Sequence, residues 1–243
     1  MSDAPGPPPA PRAIRSVPAG RAFEWYGEAM RLFNRHPLRF VGLAVVVIAA
    51  ELLLGAIPVA GRPLGNVVVP ILACGLLYAS LAVDRGDRPR AAHLVAPFAA
   101  PAGALAAVIL SSLVVFLAEW VLAWRAAGVN LLDSGSEAEL SVGDVMLVYT
   151  AGVAVSLPLT LVPMVALFEG AGVGAAFGTS INAFRRNVRA FAVFGAAALV
   201  LLGFAIATMG ILLPVVLPLW AASSYAAWKD LTGATAGDDP LRP

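Results

Sequence analysis

Glu51 stands well inside an apolar run, VVVIAAELLLG. A carboxylate at that depth is expensive in hydrocarbon unless it is paired, protonated or faces water, which makes Glu51 a candidate intramembrane functional residue. The plainer reading is a glutamate hydrogen-bonded at a helix interface, with Ser111, Ser112 or Tyr149 as partner. Pro158 and Pro163, in SLPLTLVP, are the other intramembrane candidates. Each proline removes a backbone donor and crowds the preceding turn, so the helix carrying them is expected to be kinked or partly unwound. Transporters place binding sites at such breaks. Kinks also serve packing alone, and Gly152, Ser156 and Thr160 at four-residue spacing offer a close-packing face. Glu119, beside Trp120 and Trp124, reads as an interfacial residue, because tryptophan is enriched where membrane meets water.

Other chemistry is absent from the pattern. The glycines of FEGAGVGAAFG have neither the G-x-G-x-x-G spacing nor the Lys-Ser/Thr ending of a phosphate loop, and they follow an apolar span instead of a strand. The single cysteine, Cys74, and the two histidines, His36 and His93, share no metal-ligand spacing. With no nucleophile motif or paired catalytic carboxylates either, no catalytic residue, metal or cofactor is expected, and the chain is not expected to be an enzyme. Nor is a nucleic-acid partner expected.

The elements that must position Glu51 and the prolines are membrane spans. Of the 243 residues, 60% are hydrophobic and only 13% charged, against about 25% charged in an ordinary soluble domain. A helix needs about 20 apolar residues to cross the hydrocarbon. Six stretches qualify: Leu38 to Val59, Leu64 to Val83, Ala102 to Trp124, Val145 to Phe168, Phe191 to Met209 and Ile211 to Trp228. Between the last two, only MGILLP offers a turn, so they form either two full spans or a re-entrant pair.

Basic residues gather in the N-terminal segment, the second and fourth loops and the C-terminus, with only Arg62 and Arg125 on the other side. The positive-inside rule then places both termini in the cytoplasm. The third loop, with Asp133, Glu137, Glu139 and Asp144, becomes the main outer segment. The expected organisation is a Pro-rich disordered tail over 1–19, without the apolar core of a signal peptide, a six-span membrane domain over 20–233, and a disordered tail over 234–243.

Two segments are written alike. Aligning Phe33 with Phe184 places Arg35 on Arg186 and Phe40 on Phe191, and each copy is followed by two spans. The second span of each copy carries a proline, a tyrosine and an aspartate: Pro70, Tyr78 and Asp84, then Pro218, Tyr225 and Asp230. Glu51 has its register partner near Leu202. Two spans intervene, so the repeat is parallel. Each copy opens on an amphipathic helix. Phe23, Tyr26, Met30 and Phe33 form one apolar stripe, and Phe177, Ile181, Phe184 and Val188 the other. Such helices lie in the membrane interface, where Arg31, Arg35, Arg185, Arg186 and Arg189 meet anionic lipid at about 1 kcal/mol each. The plainer reading is a pair of topology anchors.

The segments FEWYGEAMRLFNRHP, PMVALFEGAGVGAAFGTSINAFRRN and AASSYAAWKDL resemble a family of uncharacterised bacterial inner-membrane proteins related to the membrane domain of some glycerophosphodiester phosphodiesterases. The resemblance implies a six-span helical architecture and no catalytic residue, because the chemistry of those relatives resides in a separate soluble barrel. The expectation is an all-α protein of the bacterial inner membrane whose partners are membrane lipids or another membrane protein. It organises lipid or that partner without catalysis or, alternatively, moves a small solute or lipid using Glu51 and the broken fourth span.

Overall fold

The computed structural model of the chain describes residues 13–132 and 141–235. Every regular element among them is helical: α1 (Arg21–Arg35), α2 (Pro37–Gly55), α3 (Gly61–Asp84), α4 (Ala92–Val95), α5 (Ala102–Ala127), α6 (Val142–Ser156), α7 (Val162–Phe168), α8 (Val173–Arg186), α9 (Val188–Ala207) and α10 (Leu213–Thr232). Tight 3-10 turns occupy Ala96–Ala99 and Leu157–Leu159. Residues 1–12 and 236–243, with the acidic Asp133, Glu137 and Glu139, lie outside the described residues.

Five stretches are long and apolar enough to cross a membrane: α2, α3, α5, Val142–Leu159 and α9. On α10, the last of the six expected spans, Pro214, Pro218, Ser223, Ser224, Lys229 and Asp230 dilute the apolar run over its 20 residues. Its position explains the dilution. Residues 222–228 are wholly buried, and α10 packs on α1, α2, α3 and α9. A helix enclosed by other helices meets little lipid, so hydroxyls and an aromatic ring can replace aliphatic side chains on it.

The two similarly written segments turn their corners alike. Pro37 ends α1 and starts α2, and at that corner His36 turns to φ −148 while its N–H bonds the Phe33 carbonyl at 3.1 Å. The second corner has no proline. There Asn187 takes φ −130, donates its N–H to Phe184 O at 3.0 Å, and adds a side-chain bond to Ala183 O at 3.0 Å. The far turns also match, because Val59 and Met209 both sit at positive φ, 62 and 52. A β-branched valine there is strained.

Side-chain pairs cross-link the copies at the end of the bundle where α1, α3 and α10 meet. Asp84 of the first copy accepts Tyr225 Oη at 2.9 Å and pairs with Lys229. Asp230 of the second accepts Arg21 Nε and Nη2 at 2.8 and 2.9 Å and Trp25 Nε1 at 2.9 Å. The hydrogen bond to Asp230, with the charge behind it, holds the Arg21 guanidinium above its ordinary pKa. Trp25 also packs on Phe191 and Phe194, with ring centroids 5.9 and 6.0 Å away.

Those contacts reset the faces of the amphipathic helices. α1 buries Ala22, Trp25, Ala29, Leu32 and Phe33, whereas Phe23 and Met30, expected in its apolar stripe, are 67% and 45% exposed. Trp25 outside that stripe decides the rotation, because its ring and its N–H both find partners. α8 buries Ala176, Ser180 and Ala183 and leaves Ile181 exposed, so small residues bring it close to the bundle. The tail expected to be disordered over 1–19 is docked from residue 13 onward. Arg15 N bonds Leu231 O at 2.8 Å, Val17 N bonds Asn187 Oδ1 at 2.7 Å, and Ile14 is buried.

Replacing Asp230 with Ala leaves Arg21 and Trp25 without their acceptor and is expected to cost about 1–3 kcal/mol. Cys74 is buried and free, so the reaction of its thiol with a dye during thermal unfolding reports the loss. An unchanged midpoint would mean that apolar contacts alone hold α1.

Candidate functional site

The site grows from the break in the fourth span. α6 stops at Ser156, a 3-10 turn covers Leu157–Leu159, and helix resumes only at Val162. Pro158 and Pro163 bring no N–H to this stretch, and hydrocarbon offers no water to the groups they free. A side chain from α8 closes the gap. Ser180 Oγ accepts the Leu161 N–H at 3.1 Å and donates to the Pro158 carbonyl at 2.8 Å. Ser180 is 1% exposed. Thr160 Oγ1 donates to Ser156 O at 3.1 Å, and Val165 N bonds Leu161 O at 3.0 Å. The broken stretch is thereby a defined structure tied to α8.

On its other side the break faces a group of three neighbouring pockets between the two copies, which share lining residues. An apolar lobe of about 470 Å³ runs from Val47 and Val69 of the first copy to Leu202 and Trp220 of the second, closed by Tyr149 and Gly152 of α6. A more polar lobe of about 360 Å³ lies under the break, lined by Ser111, Ser112, Ser156, Thr160 and Pro163. A third, of about 250 Å³, is lined by Arg62, Asn66, Leu131 and Tyr149.

Glu119 lines all three lobes and Glu51 lines two. Glu51 and its register partner Leu202 therefore face the same cavity. Tyr149, one of the partners considered for Glu51, lines both of its lobes, whereas Ser111 is buried and donates to Val108 O at 2.8 Å. Glu119, expected at the membrane interface, is turned inward. The reason is Gly152: a Cβ there would lie 1.9 Å from Glu119 Oε1, so the glycine makes the notch that receives the carboxylate. Among the described residues no side chain or backbone N–H bonds to Glu119. Its neighbour Trp120 instead donates to Asn130 Oδ1 at 2.8 Å.

The five arginines expected at lipid divide. Arg31 pairs with Glu28 and lies 3.9 Å from Asp84, and Arg35 donates to Val83 O at 3.0 Å. Arg186 reaches Ile14 O at 3.4 Å, while Arg185 and Arg189 are exposed beside the corner of α8 and α9. These three are separated from the cavity by the length of α9. Glu51 and Pro163 line different pockets, both bordered by Glu119, and Ser180 ties the Pro158 carbonyl to α8 beside them. Ser180 and the inward face of Glu119 were missed. The cue to Ser180 in the sequence was a lone hydroxyl on the small-residue side of an amphipathic helix, and Gly152 opposite an acidic residue was the cue to Glu119.

Comparison with protein-family models, with curated proteins and with solved structures returns no match. What the cavity does is therefore argued from its geometry.

Ser180→Ala orphans both the Leu161 N–H and the Pro158 carbonyl. It is expected to destabilise the protein by about 1–3 kcal/mol and to speed amide hydrogen exchange over 157–165. Unchanged exchange there would show that the break does not depend on α8.

Proposed function

We propose that this protein is a six-span transporter of the bacterial inner membrane that takes a lipid-like amphiphile into the cavity between its two copies. The observation that carries the reading is the apolar lobe of about 470 Å³ with Glu51 and Glu119 on its wall. Ligand pockets of this size range, mostly apolar with a few converging polar groups, suit molecules with an apolar body and a polar end. The lobe lies where the copies meet and beside a discontinuous helix, as binding sites do in transporters built from repeats. This geometry favours transport over the expectation of a scaffold that only organises lipid or a partner.

In this reading α10 is the sixth span, about 30 Å long at 1.5 Å per residue, and both termini are cytoplasmic. α1 and α8 lie along the cytoplasmic face, where Arg185 and Arg189 meet anionic headgroups. The apolar lobe takes the hydrocarbon part of the ligand, and the carboxylates take its polar end. Crossed ion pairs hold the cytoplasmic end together, so the copies part at the other end, with the stretch from Leu157 to Leu161 absorbing the change. No catalytic group enters this mechanism.

Two measurements test it. Native mass spectrometry of gently extracted protein is expected to show a retained lipid-sized adduct, and Ala73→Phe, which fills the apolar lobe, is expected to lose it while remaining folded. No adduct on either protein would return the chain to the scaffold reading. For orientation, in a Cys74→Ala background, Ala126→Cys is expected to react with an impermeant thiol reagent on intact cells and Asp87→Cys only after lysis. Both positions are exposed, so labelling of position 87 from outside would invert the topology.

A further inference from the structure

Resting on the amphiphile reading above, we infer that the ligand's polar end carries a primary ammonium and that Glu119 is the residue that selects it. Glu119 lines all three pockets. Its carboxylate can only accept hydrogen bonds when ionised, and no described residue donates one. Three of the hydroxyls that line the polar pocket donate to their own helices: Ser111 to Val108 O at 2.8 Å, Ser156 to Val153 O at 2.8 Å and Thr160 to Ser156 O at 3.1 Å.

Charge points the same way. The described charged groups lining these pockets are Glu51, Glu119 and Arg62, so the lining carries two carboxylates and one guanidinium. Arg62 lines the pocket that both carboxylates border, and its Nη1 donates to Leu131 O at 3.4 Å. A carboxylate in a membrane without a cation is costly. A ligand ammonium supplies the missing charge and up to three N–H donors together, whereas an alcohol supplies a single donor and an anionic head adds a like charge.

The position of the carboxylate is fixed as well as its type. Gly152 is the only wall residue whose missing side chain leaves room for Glu119 Oε1, since a Cβ there would sit 1.9 Å away. Held in that notch, the carboxylate faces the cavity at the root of the apolar lobe, where Val69, Val216, Leu217 and Trp220 receive the alkyl chain. An amine with one alkyl chain, or the amino group of an aminophospholipid, presents the same chemistry to this wall.

The test uses the purified full chain in a nonionic detergent and a photoreactive dodecylamine carrying a diazirine on its chain. Labelling is expected on peptides covering 69–73 and 213–220. Unlabelled dodecylamine should displace the probe at about ten-fold lower concentration than dodecanol, with dodecanoate weaker still. Glu119→Gln should raise the amine concentration needed by about ten-fold and leave dodecanol unchanged, while Glu119→Asp, which keeps the charge, should restore part of the preference. Competition by phosphatidylethanolamine but not phosphatidylcholine would point to a membrane lipid as the source of the amine, and competition by neither to a free alkylamine. Equal displacement by amine, alcohol and carboxylate, or an amine preference untouched by Glu119→Gln, overturns the head-group inference and leaves the cavity reading standing. Should Glu119→Gln not fold, the wild-type order of the three competitors decides alone. Absence of labelling on the lining peptides overturns both readings.

Discussion

Hydrocarbon does not forgive an unmade backbone hydrogen bond, and the rest of this structure follows from how that constraint is met at the fourth span. Two prolines there remove donors and separate α6 from α7, leaving groups that lipid cannot satisfy. Ser180 satisfies the Leu161 N–H and the Pro158 carbonyl with one hydroxyl. To deliver it, α8 must approach closely, and for that its buried face is built from Ala176, Ser180 and Ala183 instead of large apolar side chains. The broken span consequently has a firm side toward α8 and a side toward the cavity lined by Ser156, Thr160 and Pro163.

A second consequence concerns stiffness. Asp84 and Asp230 are equivalent positions of the repeat, and each is satisfied by residues of the other copy: Tyr225 and Lys229 for Asp84, Arg21 and Trp25 for Asp230. The aromatic rings of Phe168, Tyr225 and Trp228 pack in the same region, with Trp228 Nε1 donating to Glu169 at 2.8 Å. Partly buried ion pairs gain little net stability over apolar contacts, but they do fix register, and here they fix one copy against the other at one end of the bundle. The cavity occupies the opposite part, where aliphatic side chains of both copies, among them Val47, Val69, Leu202 and Leu217, form most of the wall. Under the proposed orientation, any relative motion of the copies is hinged at the cytoplasmic end and opens outward.

Apolar length made the membrane helices legible in the sequence, because the hydrocarbon thickness sets it directly. The break at Pro158 and Pro163 was equally legible, since a missing N–H is a property of the residue itself. The faces of the helices were not. On α1 an apolar stripe through Phe23 and Met30 is as regular as the buried one through Trp25, Ala29 and Leu32. Where one side of a helix meets lipid and the other meets protein, both sides are apolar and periodicity cannot separate them. The decision fell to a polar atom, the indole N–H of Trp25, whose acceptor lies 205 residues away at Asp230. Glu119 needed the same kind of information: neighbouring tryptophans indicate depth along a helix but not direction around it, and direction was set by Gly152 on another helix.

The repeat is most informative where it fails. Several aligned positions keep their backbone geometry, including the corners at His36 and Asn187, the interior prolines at 70 and 218, and the turns at Val59 and Met209. Glu51 and Leu202 do not, yet both face the same lobe. A pair of identical walls would enclose either a wholly apolar slot, which lipid chains fill without discrimination, or a doubly charged one that hydrocarbon would not tolerate. One carboxylate wall and one aliphatic wall give the cavity a polar side and an apolar side. Glu119, contributed by a helix outside the repeat, deepens that asymmetry, because it enters from α5 on the side of the break and not from the second copy. The cavity is thus amphiphilic by construction, and the asymmetry between copies is what suits it to a ligand with an apolar body and a single polar end.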